Sequence, residues 1–126
     1  MNESLRQNTD FPECITDWGW KYHHIGVPTT MKRATERFLP QYKFSVSGFE
    51  KSPVGVEWMR FEPDSPIDLL IQQVPHVGFV VDDLDYELTV RDLTVLTAPN
   101  TPSEGIRVAM VELDGAPIEL MEFDRH

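Results

Sequence analysis

The sequence predicts an α+β fold built from two β-α-β-β-β modules, of which the first is shortened. This prediction depends on two motifs that each occur twice. His24-Ile-Gly-Val is matched in the second half by His76-Val-Gly-Phe. Val56-Glu-Trp-Met-Arg-Phe is matched near the C-terminus by Ile118-Glu-Leu-Met-Glu-Phe. Because the motifs occur in the same order in both halves, we expect two similar modules whose curved, mixed sheets bury one face between them.

The chain is predicted to form a single domain over residues 18–126, behind an N-terminal tail of residues 1–17 that has only weak periodicity. Module one covers about residues 20–73, and module two covers about residues 74–124. Alternation of apolar and polar side chains, or a short apolar run, predicts the strands. They are expected over residues 20–27, 42–47, 54–61, 74–81, 93–96, 106–113 and 118–123.

Helices are predicted from their spacing and their capping residues. Residues 31–38 carry apolar side chains at helical spacing and end before Pro40. Asp82-Asp83 is a helix start signal, and it precedes a short predicted helix over residues 84–90. Residues 67–73 are consistent with one or two turns of helix or with a short strand.

Composition and charge limit the kinds of partner. The 126 residues include 40% hydrophobic and 25% charged side chains, which is typical of a globular domain with its own core. A formal net charge of −10 would repel nucleic acid and anionic membranes, so neither is an expected partner. The sequence contains no signal-peptide core and a single cysteine, Cys14, so a cytoplasmic location is expected.

Each Glu motif places a carboxylate on an otherwise apolar strand face. Side chains two and four residues apart share a face of a strand. Glu57 and Glu119 therefore each lie beside the Met two residues on and the Phe four residues on. Burying a carboxylate without a partner is unfavourable. Its occurrence twice, in matching positions, indicates a shared function.

Two imidazoles and two carboxylates are therefore predicted to meet between the modules. A mixed set of nitrogen and oxygen ligands suits Zn, Ni, Co, Mn or Fe. Two carboxylates balance the charge of a divalent ion, and four protein ligands on an octahedral ion leave two positions for water or substrate. The predicted metal ligands are His24, Glu57, His76 and Glu119.

These motifs resemble the vicinal oxygen chelate superfamily, which includes glyoxalase I, methylmalonyl-CoA epimerase, extradiol dioxygenases and the fosfomycin and bleomycin resistance proteins. The resemblance runs from Tyr22 to Phe123 and is most specific in His76-Val-Gly-Phe-Val-Val-Asp-Asp-Leu and Gly115-Ala-Pro-Ile-Glu-Leu. The order His, Glu, His, Glu is similar to that of bacterial glyoxalase I. The resemblance implies paired βαβββ modules around a metal or ligand cavity, a divalent metal, a small substrate chelated through adjacent oxygens, and a homodimer that sometimes shares its site between chains.

Two departures from the pattern concern the first module. The segment between His24 and Glu57 is short, so we expect an element to be missing there. Ile67-Asp-Leu is also an Ile-acid-Leu match, which makes Asp68 a rival to Glu57. Glu57 is preferred because its strand matches the last strand in face and neighbours. His23 is expected to be structural or exposed.

The implied activity is that of a divalent-metal-dependent lyase or isomerase of the glyoxalase or epimerase kind. The metal would act as a Lewis acid on adjacent oxygens of a small substrate, and Glu119 or Glu57 would move a proton as general base. A non-haem Fe(II) dioxygenase that uses His24, His76 and Glu119 is the alternative among enzymes. The alternative outside enzymes is a metal-free protein that binds an antibiotic-type ligand.

Overall fold

The computed structural model describes residues 7–124 as one eight-stranded mixed sheet with three short helices. The strands are β1 (Lys21–Pro28), β2 (Arg37–Leu39), β3 (Phe44–Ser47), β4 (Val56–Phe61), β5 (His76–Val80), β6 (Thr94–Ser103), β7 (Ile106–Leu113) and β8 (Ala116–Phe123). The helices are α1 (Glu13–Thr16), α2 (Leu69–Gln73) and α3 (Leu84–Val90), and a 3₁₀ turn covers Phe49–Lys51.

The sheet consists of two halves with the same internal arrangement. Its strand order is β2-β3-β4-β1-β5-β8-β7-β6. Within each half the first strand pairs in parallel with the last one, β1 with β4 and β5 with β8. The halves join through the antiparallel pair β1–β5. The predicted α+β class and the paired modules are therefore confirmed.

The helix predicted over residues 31–38 is wrong, because the segment has no core to pack against. Met31 is 73% exposed and Phe38 is 50% exposed, so the apolar positions at helical spacing form no buried face. Residues 31–36 form bends and a turn, and Arg37–Leu39 pairs with β3 instead. Glu36 is tied to β4 by two hydrogen bonds of 2.8 Å from the guanidinium of Arg60. Between β1 and β4, the described chain has the 3₁₀ turn as its sole helical element.

Strand β6 extends well beyond the predicted residues 93–96. Pro99 and Pro102 both lie within β6, although proline is usually found outside regular strands. This strand is at an edge of the sheet, where a missing N–H group need not remove a ladder hydrogen bond. Its pairing with β7 is interrupted three times by register shifts, which accommodate the irregular sequence.

The sheet packs a hydrophobic cluster on each face. The first cluster joins Trp20, Leu84 of α3 and Leu120 of β8. The second joins Ile71 of α2 to Met59 of β4 and Met110 of β7, two strands from different halves of the sheet. Strands from opposite ends of the order reach this second cluster, so the sheet curls around it. We call the enclosed space the central cavity, and it positions the candidate site.

The predicted N-terminal tail is only partly described. Its residues 1–6 lie outside the described part of the chain, and residues 13–16 form the single turn α1. Cys14 and Trp18 pack against the first hydrophobic cluster. The boundary at residue 18 stays a prediction. Within residues 7–124, no helix has the length and apolar character needed to cross a lipid bilayer.

Candidate metal centre

The predicted ligands lie in two rows of paired residues across the centre of the sheet. In each row a glycine is paired with a glutamate on one side and with a histidine on the other. The glutamate lies on a strand that pairs in parallel with the strand of the glycine. The histidine lies on a strand that pairs with it in the antiparallel direction. The rows are Glu57–Gly26–His76 and Glu119–Gly78–His24.

The glycine of each His-x-Gly motif makes room for the histidine of the other motif. A Cβ atom added at Gly26 would overlap the imidazole of His76, and one added at Gly78 would overlap the imidazole of His24. Any larger residue would therefore displace a histidine. This reciprocal packing explains why each motif contains a glycine two residues after its histidine.

Three of the four predicted ligands come together at one point. His24 Nε2 is 3.1 Å and His76 Nε2 is 3.0 Å from the same carboxylate atom, Glu119 Oε1. The imidazole rings are perpendicular, with centroids 5.4 Å apart. His24 is 3% exposed and His76 is 1% exposed, whereas the Glu119 side chain keeps 15% of its surface open. The cluster is therefore buried, with its accessible side at the carboxylate.

The electrostatics of this cluster favour a charged carboxylate. Burial acts to raise the pKa of Glu119, but hydrogen bonds from His24 and His76 outweigh it and lower the pKa to about 2. Burial also acts to lower the pKa of His24, but the hydrogen bond and negative charge of Glu119 raise it overall. Without a metal, a proton on His24 balances the negative charge of the buried Glu119 carboxylate.

The fourth predicted ligand, Glu57, lines the same cavity but stands apart from the cluster. The three ligand atoms of the cluster lie within 4.8 Å of one another, and that group does not include Glu57. The half-buried Glu57 side chain forms no hydrogen bond within residues 7–124. Burial raises the pKa of Glu57, and the positive charge of His24 only partly opposes this. Glu57 is nevertheless paired with Gly26 in the same way as Glu119 is paired with Gly78.

The rival carboxylate has a different role. Asp68 precedes α2, and its side chain accepts a 2.9 Å hydrogen bond from the backbone N–H of Leu70. This is a helix N-cap, and Asp68 does not line the central cavity. The Ile-Asp-Leu match is therefore a capping sequence, and Glu57 is the carboxylate that module one directs into the cavity.

His23 is a site residue that the sequence reasoning missed. We expected it to be structural or exposed, yet it lines the cavity and its Nδ1 lies 2.8 Å from Nδ1 of His24. The pairing of β1 with β5 shifts register between Tyr22 and His24, which lets two consecutive side chains reach the same region. Adjacency to a predicted ligand was the available signal, but the bulge is not visible in the sequence.

The central cavity is small and mostly apolar. Its volume is about 170 Å³. Of the residues predicted to share a face with the glutamates, Met59, Phe61 and Met121 line it, whereas Phe123 does not and is 44% exposed. The charged and polar lining of the cavity includes His23, His24 and Glu119, together with Arg37 and Asn100 on other strands. The cavity thus combines candidate ligands with a mostly apolar lining.

Comparison of the three-dimensional structure with solved structures finds the same fold. Hypothetical protein BH1468 from Bacillus halodurans C-125 superposes with a TM-score of 0.64 and 19% identity, over 85% of this chain and 96% of that chain. Methylmalonyl-CoA epimerase from Mycobacterium tuberculosis superposes with a TM-score of 0.54 and 16% identity, over 83% of this chain and 89% of that chain. The protein has the vicinal oxygen chelate fold.

Sequence comparison by itself does not reach this result. No family model matches the chain, and no curated protein matches it either. The vicinal oxygen chelate fold expected from the motifs is thus confirmed by the structure. The fold does not establish an activity, because the same architecture can carry different chemistry.

The residues at the centre of this vicinal oxygen chelate fold could bind a metal ion. His24, His76 and Glu119 supply two imidazole nitrogens and a carboxylate oxygen, a donor set that suits first-row divalent metals. Glu119 is ionised at neutral pH, as a ligand must be. The ring atom Nδ1 of His76 is buried without a hydrogen-bond partner among residues 7–124. The donor set and the convergence of the ligand atoms both fit a divalent ion.

Proposed function

We propose that the protein is a divalent-metal-dependent lyase or isomerase that acts on a small molecule with adjacent oxygens. One observation carries this proposal. His24 Nε2 and His76 Nε2 converge on Glu119 Oε1, at 3.1 and 3.0 Å, on the wall of a cavity large enough for a small ligand. The epimerase that shares the fold is by its name an isomerase, which supports this class of reaction.

His24, His76 and Glu119 would hold the ion, which suits Zn, Ni, Co, Mn or Fe. The bound ion supplies Lewis-acid polarisation of the substrate oxygens. Two neutral imidazoles and one carboxylate leave a divalent ion with a net positive charge. The mostly apolar lining lowers the local dielectric constant and so strengthens the electrostatic attraction between the site and an oxygen-bearing substrate.

Glu57 is the residue to which we assign the proton transfer. It lines the cavity, it occupies the register position equivalent to Glu119, and no hydrogen bond within the described chain restrains its carboxyl group. Burial raises its pKa, which brings a carboxyl group closer to the range where it can both take and return a proton. Two further predictions stay open, that Glu57 is a fourth ligand and that Glu119 moves the proton. The metal content and the proton exchange of Glu57→Gln, described below, test them.

A second candidate is a non-haem Fe(II) dioxygenase. The observation that favours it is the composition of the cluster, which contains two histidines and one carboxylate. This set is typical of Fe(II) sites that leave positions open for dioxygen and substrate. Glu57 has no required role in this alternative. Its contribution to the reaction therefore separates the two candidates.

Metal content provides the first test. The purified protein is reconstituted with each divalent ion and desalted, and its metal is measured by mass spectrometry. We expect about one ion per chain for the wild type and for Asp68→Asn, and a large loss for His76→Ala. A wild-type metal content no higher than that of His76→Ala would contradict the proposal and favour a metal-free binding protein.

Proton exchange provides the second test. The metal-loaded protein is incubated in D₂O with small 2-hydroxy ketones and 2-oxo acids, and deuterium incorporation beside the carbonyl is followed by NMR. We expect incorporation that Glu57→Gln abolishes while its metal content is retained. Dioxygen uptake by the Fe(II)-loaded protein that persists in Glu57→Gln, without deuterium incorporation, would support the dioxygenase instead.

A further inference from the structure

The ring of His23 is held against the ring of His24. The two Nδ1 atoms are 2.8 Å apart, which is a hydrogen-bond distance. His23 stacks on Phe49, with centroids 5.0 Å apart and an interplanar angle of 9°, and it also contacts Phe123 at 5.8 Å. Aromatic packing on two sides therefore fixes the orientation of the His23 ring.

A contact between two imidazole nitrogens requires one to donate and the other to accept. His24 directs Nε2 at Glu119, where the ligand atoms converge. For Nε2 to offer a lone pair to a metal, Nδ1 of the same ring must carry the hydrogen. His23 Nδ1 must then be the acceptor, with its own hydrogen on Nε2.

We propose that His23 is a positioning residue that accepts the Nδ1–H of His24 and so fixes the tautomer and ring orientation that present Nε2 to the ion. This inference rests on the proposed metal centre. The other histidine has no equivalent support, because Nδ1 of His76 lacks a partner among the described residues. The site thus contains one histidine oriented by a side chain and one held by packing over Gly26.

Paired variants test this role. His23→Phe keeps an aromatic ring next to Phe49 but removes the acceptor, whereas His23→Asn supplies an amide oxygen near the position of Nδ1. Zinc affinity is measured by competition with a chelator. We expect His23→Phe to bind zinc about 10–100-fold more weakly, and His23→Asn to recover most of that loss.

NMR of the zinc-loaded protein with ¹⁵N-labelled histidine supplies a readout that general destabilisation would not change. We expect a protected Nδ1–H signal for His24 in the wild type and in His23→Asn, and its loss in His23→Phe. Equal zinc affinity and an unchanged signal in His23→Phe would overturn the inference while leaving the metal centre intact. Failure of the wild type to bind zinc would overturn both.

The lining of the cavity carries a second, independent inference about the substrate. The apolar lining includes Phe44 and Phe61, whose rings pack with centroids 5.1 Å apart, and Met59 and Met110. Aromatic and methionine side chains form an adaptable apolar surface. The volume of about 170 Å³ lies below the roughly 300–1,000 Å³ usual for drug-sized ligands, so the occupant is small.

Arg37 is the sole arginine or lysine among the described residues that line this cavity. It lies on β2, where Arg37 and Leu39 line the cavity, and Arg37 also remains exposed to solvent. Arg37 forms no ion pair within residues 7–124, in contrast to Arg60, which binds Glu36, although the charge of Arg37 acts to lower the pKa of Glu57. A cation without a salt-bridge partner at the edge of an apolar cavity is suited to an anionic ligand.

We infer that the substrate is a small carboxylic acid with an apolar body, whose negative charge interacts with Arg37 and whose body packs on the Phe44–Phe61 wall. This inference also rests on the proposed function, which supplies the site for its adjacent oxygens. It predicts a preference for hydrocarbon bulk over a minimal acid. It also predicts that the negative charge and the apolar body of the ligand contribute to affinity through different residues of the cavity.

Three probes separate these contributions in titrations of the zinc-loaded protein followed by calorimetry. They are 4-methyl-2-oxopentanoate, pyruvate, which lacks the apolar body, and 5-methylhexane-2,3-dione, which lacks the charge. We expect 4-methyl-2-oxopentanoate to bind at least about tenfold more tightly than pyruvate, since its additional carbons are buried. Arg37→Gln should weaken the acids about tenfold and leave the dione unchanged. The control variant is Arg60→Gln, whose cation does not line the cavity.

Equal binding of pyruvate and 4-methyl-2-oxopentanoate, or equal effects of Arg37→Gln on the acid and the dione, would overturn the substrate inference. The zinc content of the same samples is measured in parallel. Full zinc content with no preference among the probes contradicts this inference alone. Absent zinc contradicts the proposed function as well.

Discussion

Gly26 and Gly78 contribute to the site as directly as the histidines that they face. Each provides the space in which the imidazole from the neighbouring strand lies, and a Cβ atom at either position would overlap that ring. Neither glycine has a positive φ angle, so backbone conformation does not require them. The steric requirement of the rings is therefore the physical reason for glycine at both positions.

Substituting Gly78 should displace His24. We expect Gly78→Ala to destabilise the protein by about 1–3 kcal/mol, the usual range for overpacking, and to abolish tight metal binding. In a His24→Ala background the ring is gone, so the same substitution should have little further effect on the free energy of unfolding. A double-mutant cycle by urea denaturation measures this coupling. Additive effects of Gly78→Ala and His24→Ala would contradict the packing explanation.

Metal affinity should increase with pH because the ion and a proton compete for His24. Burial acts to lower the pKa of His24, but the hydrogen bond to Glu119 raises it above its ordinary value of 6.5. In the metal-free protein, the raised pKa of His24 contributes fully to the stability of the folded state below pH 6.5. This contribution is lost as pH rises through the folded-state pKa. Glu119, with a pKa of about 2, stays ionised throughout.

We therefore expect the increase in melting temperature produced by a fixed zinc concentration to be larger at about pH 8 than at about pH 6. Differential scanning fluorimetry at the two pH values, with a chelator as the reference state, measures the difference. A shift that is equal at both values, or larger at the lower one, would show that no protonated histidine is displaced by the ion.

At the scale of elements, the site depends on the central strands β4, β1, β5 and β8. The antiparallel pair β1–β5 carries both histidines, and the outer parallel strands carry the glutamates. The helices contribute no ligand to the cluster. The absence of an α-helix between β1 and β4 within the described chain therefore leaves the site intact, because the bends and hydrogen bonds of residues 29–36 connect the strands instead.

Helix α2 supplies a test of the two rival acids. Asp68 caps this helix through the N–H of Leu70, and Ile71 of α2 is buried at 1% exposure. Asp68→Ala should lower the free energy of unfolding by about 1 kcal/mol and leave metal content and deuterium exchange unchanged. Glu57→Ala should abolish exchange instead. Loss of metal from Asp68→Ala at a temperature well below its melting point would restore Asp68 as a candidate ligand.

Much of the whole molecule was predictable because its duplicated motifs coincide with its internal symmetry. The register places Glu57 opposite Gly26 and Glu119 opposite Gly78, as expected for two copies of one arrangement. The alternation of apolar side chains located the central strands. The set of both histidines with Glu119 was raised only for the dioxygenase alternative, because the duplicated motifs otherwise gave Glu57 and Glu119 equal roles.

The features that the sequence did not reveal depend on long-range contacts. The helical spacing of residues 31–38 was misleading because no apolar surface covers Met31 or Phe38 in the folded chain. The position of His23 follows from an irregular pairing of β1 with β5. A regular strand would direct His23 and His24 to opposite faces. The cavity and the cluster lie within one chain, and the expected homodimer stays a prediction.

The central claim is that His24, His76 and Glu119 bind one divalent ion. The most direct measurement is a crystal structure of the zinc-loaded protein with anomalous diffraction recorded on both sides of the zinc absorption edge. We predict one strong anomalous peak per chain, about 2.0–2.2 Å from Nε2 of both histidines and from a carboxylate oxygen of Glu119. A fully zinc-loaded crystal with no peak between these three residues, or with its only peaks on the acidic surface around Asp83 and Asp85, would contradict the claim.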